Sequence, residues 1–150
     1  GAHVTVLTHS QHKKDDALKL GANEVIVTNN PDQLLLEHAG KFDFILDTVS
    51  APHDLNLYLQ LLKTDGKMVL VGLPEIPPTI APGNLIFGRK SLSGSLIGGI
   101  PETQEMLDYC GKHNITRDVE VIAPKDINQA FERMLKGDVK YRFVLDMKRI

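Results

Sequence analysis

Apolar residues fall along this chain in two rhythms. Short runs of β-branched and aliphatic residues at 4–7, 24–28, 42–47, 67–71 and 91–97 predict strands, and the stretches between them carry apolar positions at helical spacing. Residues 11–20 read as a helix, with Asp15 and Asp16 near its positive end and Gly21 as its stop. At 30–33, Asn30 is the expected cap of a second helix, Pro31 its first residue and Gln33 the returning side chain of a capping box; Leu34, Leu35 and Leu36 make it a buried helix, and Gly40 ends it. Over 51–63, Leu55, Tyr58, Leu59 and Leu62 recur at i, i+3, i+4 and i+7, so one face belongs to a core. Residues 64–66 predict a turn, the proline-dense 74–83 a loop, and 84–90 a short helix.

This alternation predicts a parallel α/β sheet with right-handed crossovers up to about residue 98. The remainder differs: a helix at 101–112 with Glu102 and Glu105 in its first turns, a strand at 119–122, a helix at 126–136 with an Asp-x-x-Gln box, and a last strand at 141–147. The core face of the later helix is expected to be Ile127, Ala130, Phe131 and Met134.

Composition narrows the class. With 150 residues, 42% of them hydrophobic, there is material for one domain with a real core. A net charge of −2 provides no broad basic field, which argues against nucleic acid and polyanionic surfaces as partners. One cysteine, Cys110, makes neither an internal disulfide nor a thiolate zinc site and suits a reducing compartment. No run approaches the roughly 20 apolar residues of a membrane span, and the N-terminus lacks the regions of a signal peptide. A cytoplasmic protein with no membrane partner is expected.

The densest chemistry follows the first strand, where Thr8, His9, Ser10, His12 and Lys13 form a compact anion-binding set. In a doubly wound nucleotide-binding sheet, the turn after the second strand selects the adenosine ribose: an acid accepts from a free 2′-hydroxyl, whereas hydroxyl and basic groups accommodate a 2′-phosphate. Here the strand ends on Thr8 and no acid. Ser10 as a plain helix cap and Lys13 as a solvated lysine are the competing readings. The G-x-G-x-x-G loop of a dinucleotide site is absent, since Gly94 and Gly98-Gly99 fall within or just beyond a late strand. The six histidines show no metal-ligand spacing, no G-x-S-x-G elbow is present, and Cys110 reads as a small semi-buried helix residue. Pattern alone reaches a nucleotide-binding-type α/β domain.

Five segments go further: THSQHKKDDALKLGA, FDFILDTVSAP, KMVLVGLP, LSGSLIGGIPETQEMLDYC and INQAFERMLKGDVKYRFVLDM. Together they resemble the C-terminal half of the zinc-containing medium-chain alcohol dehydrogenases, in the cinnamyl-alcohol-dehydrogenase-like, NADP-dependent branch that includes bacterial aldehyde reductases. The resemblance implies a Rossmann-type parallel sheet lacking its first strand and glycine loop over residues 1–98, and the C-terminal return into the catalytic domain over 99–150. It implies NADP(H) as cofactor and an aldehyde or primary alcohol as substrate. Thr8, His9, Ser10 and Lys13 would meet the 2′-phosphate, with His9 a departure from the Ser or Thr common in the branch. Thr48 and Val49 would flank the adenosine and ribose, Val71, Gly72 and Leu73 would line the nicotinamide ribose, and Ser95, Leu96 and Ile97 would present backbone to the carboxamide. Val71, Leu96 and Ile97 are expected to be core residues at the same time. Arg142 corresponds to a pyrophosphate contact, and a surface ion pair with Asp138 is the equal alternative.

The family's zinc ligands, proton relay, structural zinc lobe and glycine loop lie in its N-terminal half, so zinc is expected in the full-length enzyme only, with no ligand in these residues. A homodimer through strand 91–97 is implied. A non-catalytic nucleotide-binding or assembly module and a zinc-free quinone reductase are the alternatives. Lacking the strand that joins the two halves of the sheet, the chain is expected to pair its first and third strands directly, to exchange strands with another copy, or to be marginally stable.

Overall fold

The computed structural model describes Gly1 to Arg149 as two compact units, Gly1–Leu96 and the segment from Ile97 onward. The first contains β1 (Thr5–Thr8), α1 (Lys14–Lys19), β2 (Glu24–Val27), α2 (Pro31–His38), β3 (Phe42–Asp47), α3 (Leu55–Leu61), β4 (Leu62–Leu70), α4 (Gly83–Ile86) and β5 (Ser91–Gly94). The second contains α5 (Ile100–Lys112), β6 (Glu120–Ile122), α6 (Ile127–Leu135) and β7 (Phe143–Leu145). Every ladder is parallel, as the alternation of strands and helices requires.

The strands form three ladders, ordered β1-β2, β3-β4-β5 and β6-β7. The first two follow the doubly wound order with its central strand left out. β1 and β3 do not close the gap by pairing. Ile26 of β2, Leu34 of α2 and Ile45 of β3 share one cluster with Leu55, Leu59, Leu61, Leu62 and Met68, and Leu7 of β1 packs against it. Closure would draw the ladders together across this shared core, at the cost of its packing.

Local chemistry explains where elements start and stop. Asp54 caps α3 by accepting from the Asn56 N–H at 2.9 Å, so the helix begins at Leu55 rather than 51. It runs without a loop into β4 through Leu61 and Leu62, which are 0% and 1% exposed. The expected turn at 64–66 is a bulge within β4: Leu62 lies opposite Phe42 and Lys67 opposite Phe44. Asp65 takes φ 62° there, donates its N–H to the Gly88 carbonyl at 2.9 Å, and holds Arg89 in a bidentate pair at 2.9 and 2.6 Å. Asn56 pins the proline-rich loop, donating to the Thr79 carbonyl at 2.9 Å and accepting from the Ala81 N–H at 2.8 Å.

Several expectations are corrected. The helix expected at 11–20 is a 3-10 turn, Gln11–Lys13, followed by α1, and Ser10 makes no side-chain cap. Asn30 does cap α2, but Gln33 bonds to Glu37 at 2.8 Å instead of returning to the cap. Leu36 is 87% exposed beside Leu34 at 3%, because consecutive helical residues point about 100° apart. The short helix ends at Ile86, and the fifth strand ends at Gly94. Asp126 offers no side-chain cap to α6, which is entered through a 3-10 turn at Pro124–Asp126. Of that helix's expected core face only Ala130 is buried; Ile127, Phe131 and Met134 stay open because β6 and β7, at three residues each, form too small a sheet to cover them.

The second unit is organised around Arg133. Its guanidinium pairs with both Glu120 oxygens at 2.7 and 3.1 Å and with Asp138 at 2.9 Å, and lies 5.0 Å from the Phe143 ring centre. The Arg133 hydrogen bonds hold the Glu120 carboxyl below its ordinary range, and the Glu120 bonds raise Arg133 in turn. Asp138 pairs with Arg133, and among the described residues the alternative pairing of Arg142 with Asp138 is not present.

Candidate functional site

In a parallel sheet the carboxyl ends of the strands deliver their loops to one edge, where ligands bind. The first unit places its expected site residues there as two clusters, one per ladder. At the end of β1, the Thr8 carbonyl accepts the Thr28 N–H at 2.9 Å and the Thr8 hydroxyl oxygen accepts the Ser10 N–H at 3.2 Å. Thr8 Oγ1 therefore keeps its proton to donate outward. His9, exposed, lies 3.1 Å through Nδ1 from the hydroxyl of buried Thr28, which ties the turn to the end of β2. Lys13 follows on the 3-10 turn, its N–H on the Ser10 carbonyl at 3.1 Å and its side chain exposed.

The second cluster is built by the loops after β3, β4 and β5. The Asp47 carbonyl accepts the N–H groups of Val71 and Gly72 at 2.9 and 3.1 Å, so Thr48 and Val49 lie directly against Gly72. A Cβ added at Gly72 would stand 2.3 Å from the Val49 carbonyl oxygen and 2.9 Å from the Thr48 carbonyl carbon. Only glycine lets the two backbones approach so closely. Ser95 continues from β5, its N–H on the Leu70 carbonyl at 3.0 Å. Val71 is 44% exposed, Leu73 87%, Leu96 89% and Ile97 90%, which overturns the expectation that Val71, Leu96 and Ile97 are core: each lies beyond the end of its strand, at Leu70 or Gly94. Ile97 and Arg142 belong to the second unit; Arg142 is exposed, and its carbonyl accepts the Glu120 N–H at 2.9 Å.

The structure adds a pair that sequence reasoning missed. Asp47 is buried and His53 partly buried, with side chains 8% and 11% exposed, and His53 Nε2 lies 2.8 Å from Asp47 Oδ2. The other carboxylate oxygen accepts the Val49 N–H at 3.0 Å, and His53 Nδ1 lies 2.8 Å from the Ala51 carbonyl. That carbonyl can only accept, so Nδ1 donates to it, while Nε2 shares its hydrogen bond with the carboxylate. The Tyr58 ring stands edge-on to the imidazole at 5.7 Å. An acid closing a mostly apolar strand was the legible signal, because a buried carboxylate needs donors close by.

One concavity lies elsewhere. A hollow of about 600 Å³ lined by Gly40, Gln60, Leu62, Lys63, Thr64, Phe87, Gly88 and Lys90 occupies the amino ends of β3, β4 and β5. The convergent backbone donors and hydroxyls are at the opposite edge, and we assign the site to them. Burial lowers the Lys90 ammonium from its ordinary value, but its proton goes to the Leu59 carbonyl at 2.7 Å as a cap on α3. Among the described residues no group of three or more His, Cys, Asp or Glu side chains could hold a metal ion.

Sheet order and strand-end loops give the first unit a Rossmann-type arrangement, with no central strand among the described residues. Residues 1–112 match the family model described as zinc-binding dehydrogenase, and the chain belongs to that family. It is 52% identical over 153 residues to the aldehyde reductase YahK of Escherichia coli, covering 100% of this chain and 43% of that protein. It is 51% identical over 146 residues to the NADP-dependent alcohol dehydrogenase C 1 of Mycolicibacterium smegmatis, covering 97% of this chain and 42% of that protein. Among solved structures it resembles a cinnamyl alcohol dehydrogenase of Sorghum bicolor, with TM-score 0.89, 42% identity, and 95% of this chain and 40% of that chain covered. It also resembles the Helicobacter pylori CAD in complex with NADP(H), with TM-score 0.84, 41% identity, and 99% and 42% coverage. The chain thus spans less than half the length of each.

Proposed function

We propose that this chain is the cofactor-holding portion of an NADP-dependent, zinc-type alcohol dehydrogenase that interconverts aldehydes and primary alcohols. The observation that carries the reading is the end of β1: a threonine with a free hydroxyl proton, followed by His9, Ser10 and Lys13, with no acid to accept from a ribose 2′-hydroxyl. The Gly72 cradle fits the reading, because a ligand lying along these loops needs its backbone approach unobstructed. The NADP(H) bound by the Helicobacter pylori relative and the NADP dependence in the name of the Mycolicibacterium relative point the same way.

When bound, the nicotinamide supplies or accepts a hydride. The chain's own residues bind and orient. Thr8, His9, Ser10 and Lys13 hold the 2′-phosphate, with the Lys13 ammonium as the fixed positive charge. Thr48 and Val49 wall the adenosine ribose, and Val71, Gly72 and Leu73 the nicotinamide ribose. Ser95, Leu96 and Ile97 offer backbone groups to the carboxamide, and Arg142 neutralises pyrophosphate. The exposed Leu73 and Leu96 of the first unit are suited to stand against a flat ring. Zinc does not fit the described residues, which bring no three His, Cys, Asp or Glu side chains together.

In this reading residues 1–98 are the nucleotide-binding domain and 99–150 return to the catalytic domain. The protein works in the cytoplasm, consistent with no helix of the described residues being long and apolar enough to cross a membrane. It pairs as a homodimer through 91–97, where β5 has β4 on one side and an open edge on the other.

The test places this chain in exchange for the matching part of the Escherichia coli aldehyde reductase and compares NADPH with NADH. A preference for NADPH is expected. Thr8→Asp with Lys13→Ala should erase or reverse it, since each charge-assisted hydrogen bond is worth about 1.5–3 kcal/mol. Equal efficiency with NADH in the unsubstituted hybrid refutes the reading.

A further inference from the structure

Asp47 is bonded to two of the three loops of the second cluster. Its carbonyl holds Val71 and Gly72 of the loop after β4, and its carboxylate holds Val49 of the loop after β3. The carboxylate cannot turn away from Val49 without leaving His53, because its second oxygen is bonded to His53 Nε2 at 2.8 Å. His53 in turn is held through Nδ1 by the Ala51 carbonyl and flanked by Tyr58 of α3. Contacts thus run from the Tyr58 ring of α3, through the hydrogen-bonded imidazole and carboxylate, to the backbone that fits against Gly72 with no room for a single carbon.

We infer that His53 is a positioning residue: through Asp47 it fixes the Thr48–Val49 segment against Gly72 and so sets the shape of the cofactor-facing edge. The inference rests on the cofactor reading above for its consequence, but its geometry stands without it. A buried pair kept only for stability has no need to bond the loop backbone, and replacing such a pair by apolar side chains is often neutral. Here the carboxylate has two jobs, and an apolar side chain at 53 would leave it free to swing from Val49 toward solvent. The ring is replaceable by one group only, a side chain that donates from the place of Nε2. Glutamine does this; leucine of similar volume does not.

Two measurements separate the possibilities. The first is hydrogen exchange on the 150-residue chain at the Val49, Val71 and Gly72 amides. His53→Leu should lower protection at Val49 by roughly tenfold or more, with smaller losses at Val71 and Gly72, while amides within α2 and β2 keep theirs; His53→Gln should restore Val49. The second is steady-state kinetics of the hybrid enzyme. His53→Leu should raise the NADPH KM by roughly tenfold with kcat within about twofold, His53→Gln should recover most of that, and His53→Leu should add nothing in an Asp47→Ala background. Should His53→Leu fail to fold, His53→Gln against Asp47→Ala makes the same comparison. Unchanged Val49 protection in His53→Leu overturns the inference, as does a uniform loss of protection across the unit or a leucine variant as good as glutamine. A hybrid that responds at Val49 but neither binds nor oxidises NADPH leaves the positioning intact and refutes the cofactor reading instead.

Discussion

Replacing Gly72 by alanine is the smallest change that should disable the second cluster. Its φ is not among the positive values, which belong to Gly21, Gly40 and Gly137 among the glycines, so alanine meets no conformational penalty there and the entire effect is one of space. The added carbon would sit 2.3 Å from the Val49 oxygen and 2.5 Å from its carbonyl carbon, where ordinary contact begins at 3.4 Å. Both obstacles are backbone, so no side-chain rotation relieves them. The loop after β3 must retreat by about 1 Å, which costs about 1–3 kcal/mol as overpacking and, where that loop positions a reacting ligand, roughly a hundredfold in rate. Gly94→Ala is the matched control, since its new carbon meets only the Leu70 oxygen, at an unstrained 3.7 Å. Thermal melts and NADPH titrations of the hybrid enzyme with each substitution form the assay. Gly72→Ala should lower both the melting temperature and the affinity, and Gly94→Ala neither. Equal behaviour of the two variants would refute the claim that backbone approach at Gly72 shapes the site.

Leu59→Ala, at the wholly buried centre of the α3 face, should cost about 2–5 kcal/mol in chemical denaturation, whereas Leu36→Ala, 87% exposed, should fall within about 0.5 kcal/mol of the parent. Glu24 accepts from Lys41 at 2.9 and 3.0 Å, and that hydrogen bond holds its carboxyl below its ordinary range. A depressed acid stabilises the fold above its unfolded pKa and loses that contribution as pH falls through the folded value. Unfolding midpoints of the parent should therefore drop relative to Lys41→Met as pH falls below 4.5, by at most about 1 kcal/mol because the pair is half in solvent.

What was legible in the sequence was legible for local reasons. The 3.6-residue recurrence of Leu55 and Leu59 and the capping residue Asn30 placed their elements because periodicity and caps act over a few residues. The split of the first helix was not legible, since Ser10 resembles a cap and only the Thr8 hydroxyl, already bonded to the Ser10 N–H, shows that the turn is closed another way. The site followed the same division. Residue types at the end of β1 could be read directly, whereas the Asp47–His53 pair joins residues six apart across a loop, a contact that no periodicity encodes. The exposure of Val71, Leu96 and Ile97 was also hidden, because an apolar residue at a strand end has the same letter whether helix, ligand or water lies beyond it.

The sharpest consequence of reading this chain as part of a longer enzyme concerns β3. Its sequence is nearly continuous in apolar residues, the mark of a parallel strand covered on both faces. Only one face is covered within the first unit: Ile45 is 9% exposed, but its neighbours Phe44 and Leu46, which point to the other side, are 54% and 55% exposed. The edge of β3 away from β4 is also unpaired. Full burial of a phenylalanine or leucine is worth about 1.5–3 kcal/mol, so the uncovered halves of the two residues hold back roughly 2–3 kcal/mol together. A covering element supplied from elsewhere would release it, and would change what a truncation at that site costs. In the isolated chain, Phe44→Ala should cost no more than about half the 3–5 kcal/mol typical of a buried phenylalanine, while in the hybrid enzyme it should cost that full amount. Ile45→Ala, buried in both settings, should cost the same in each. Denaturation of the four variant proteins beside their two parents decides the matter: an equal cost for Phe44→Ala in both settings would mean that nothing covers this face, and that β3 is an ordinary edge strand of a domain already whole.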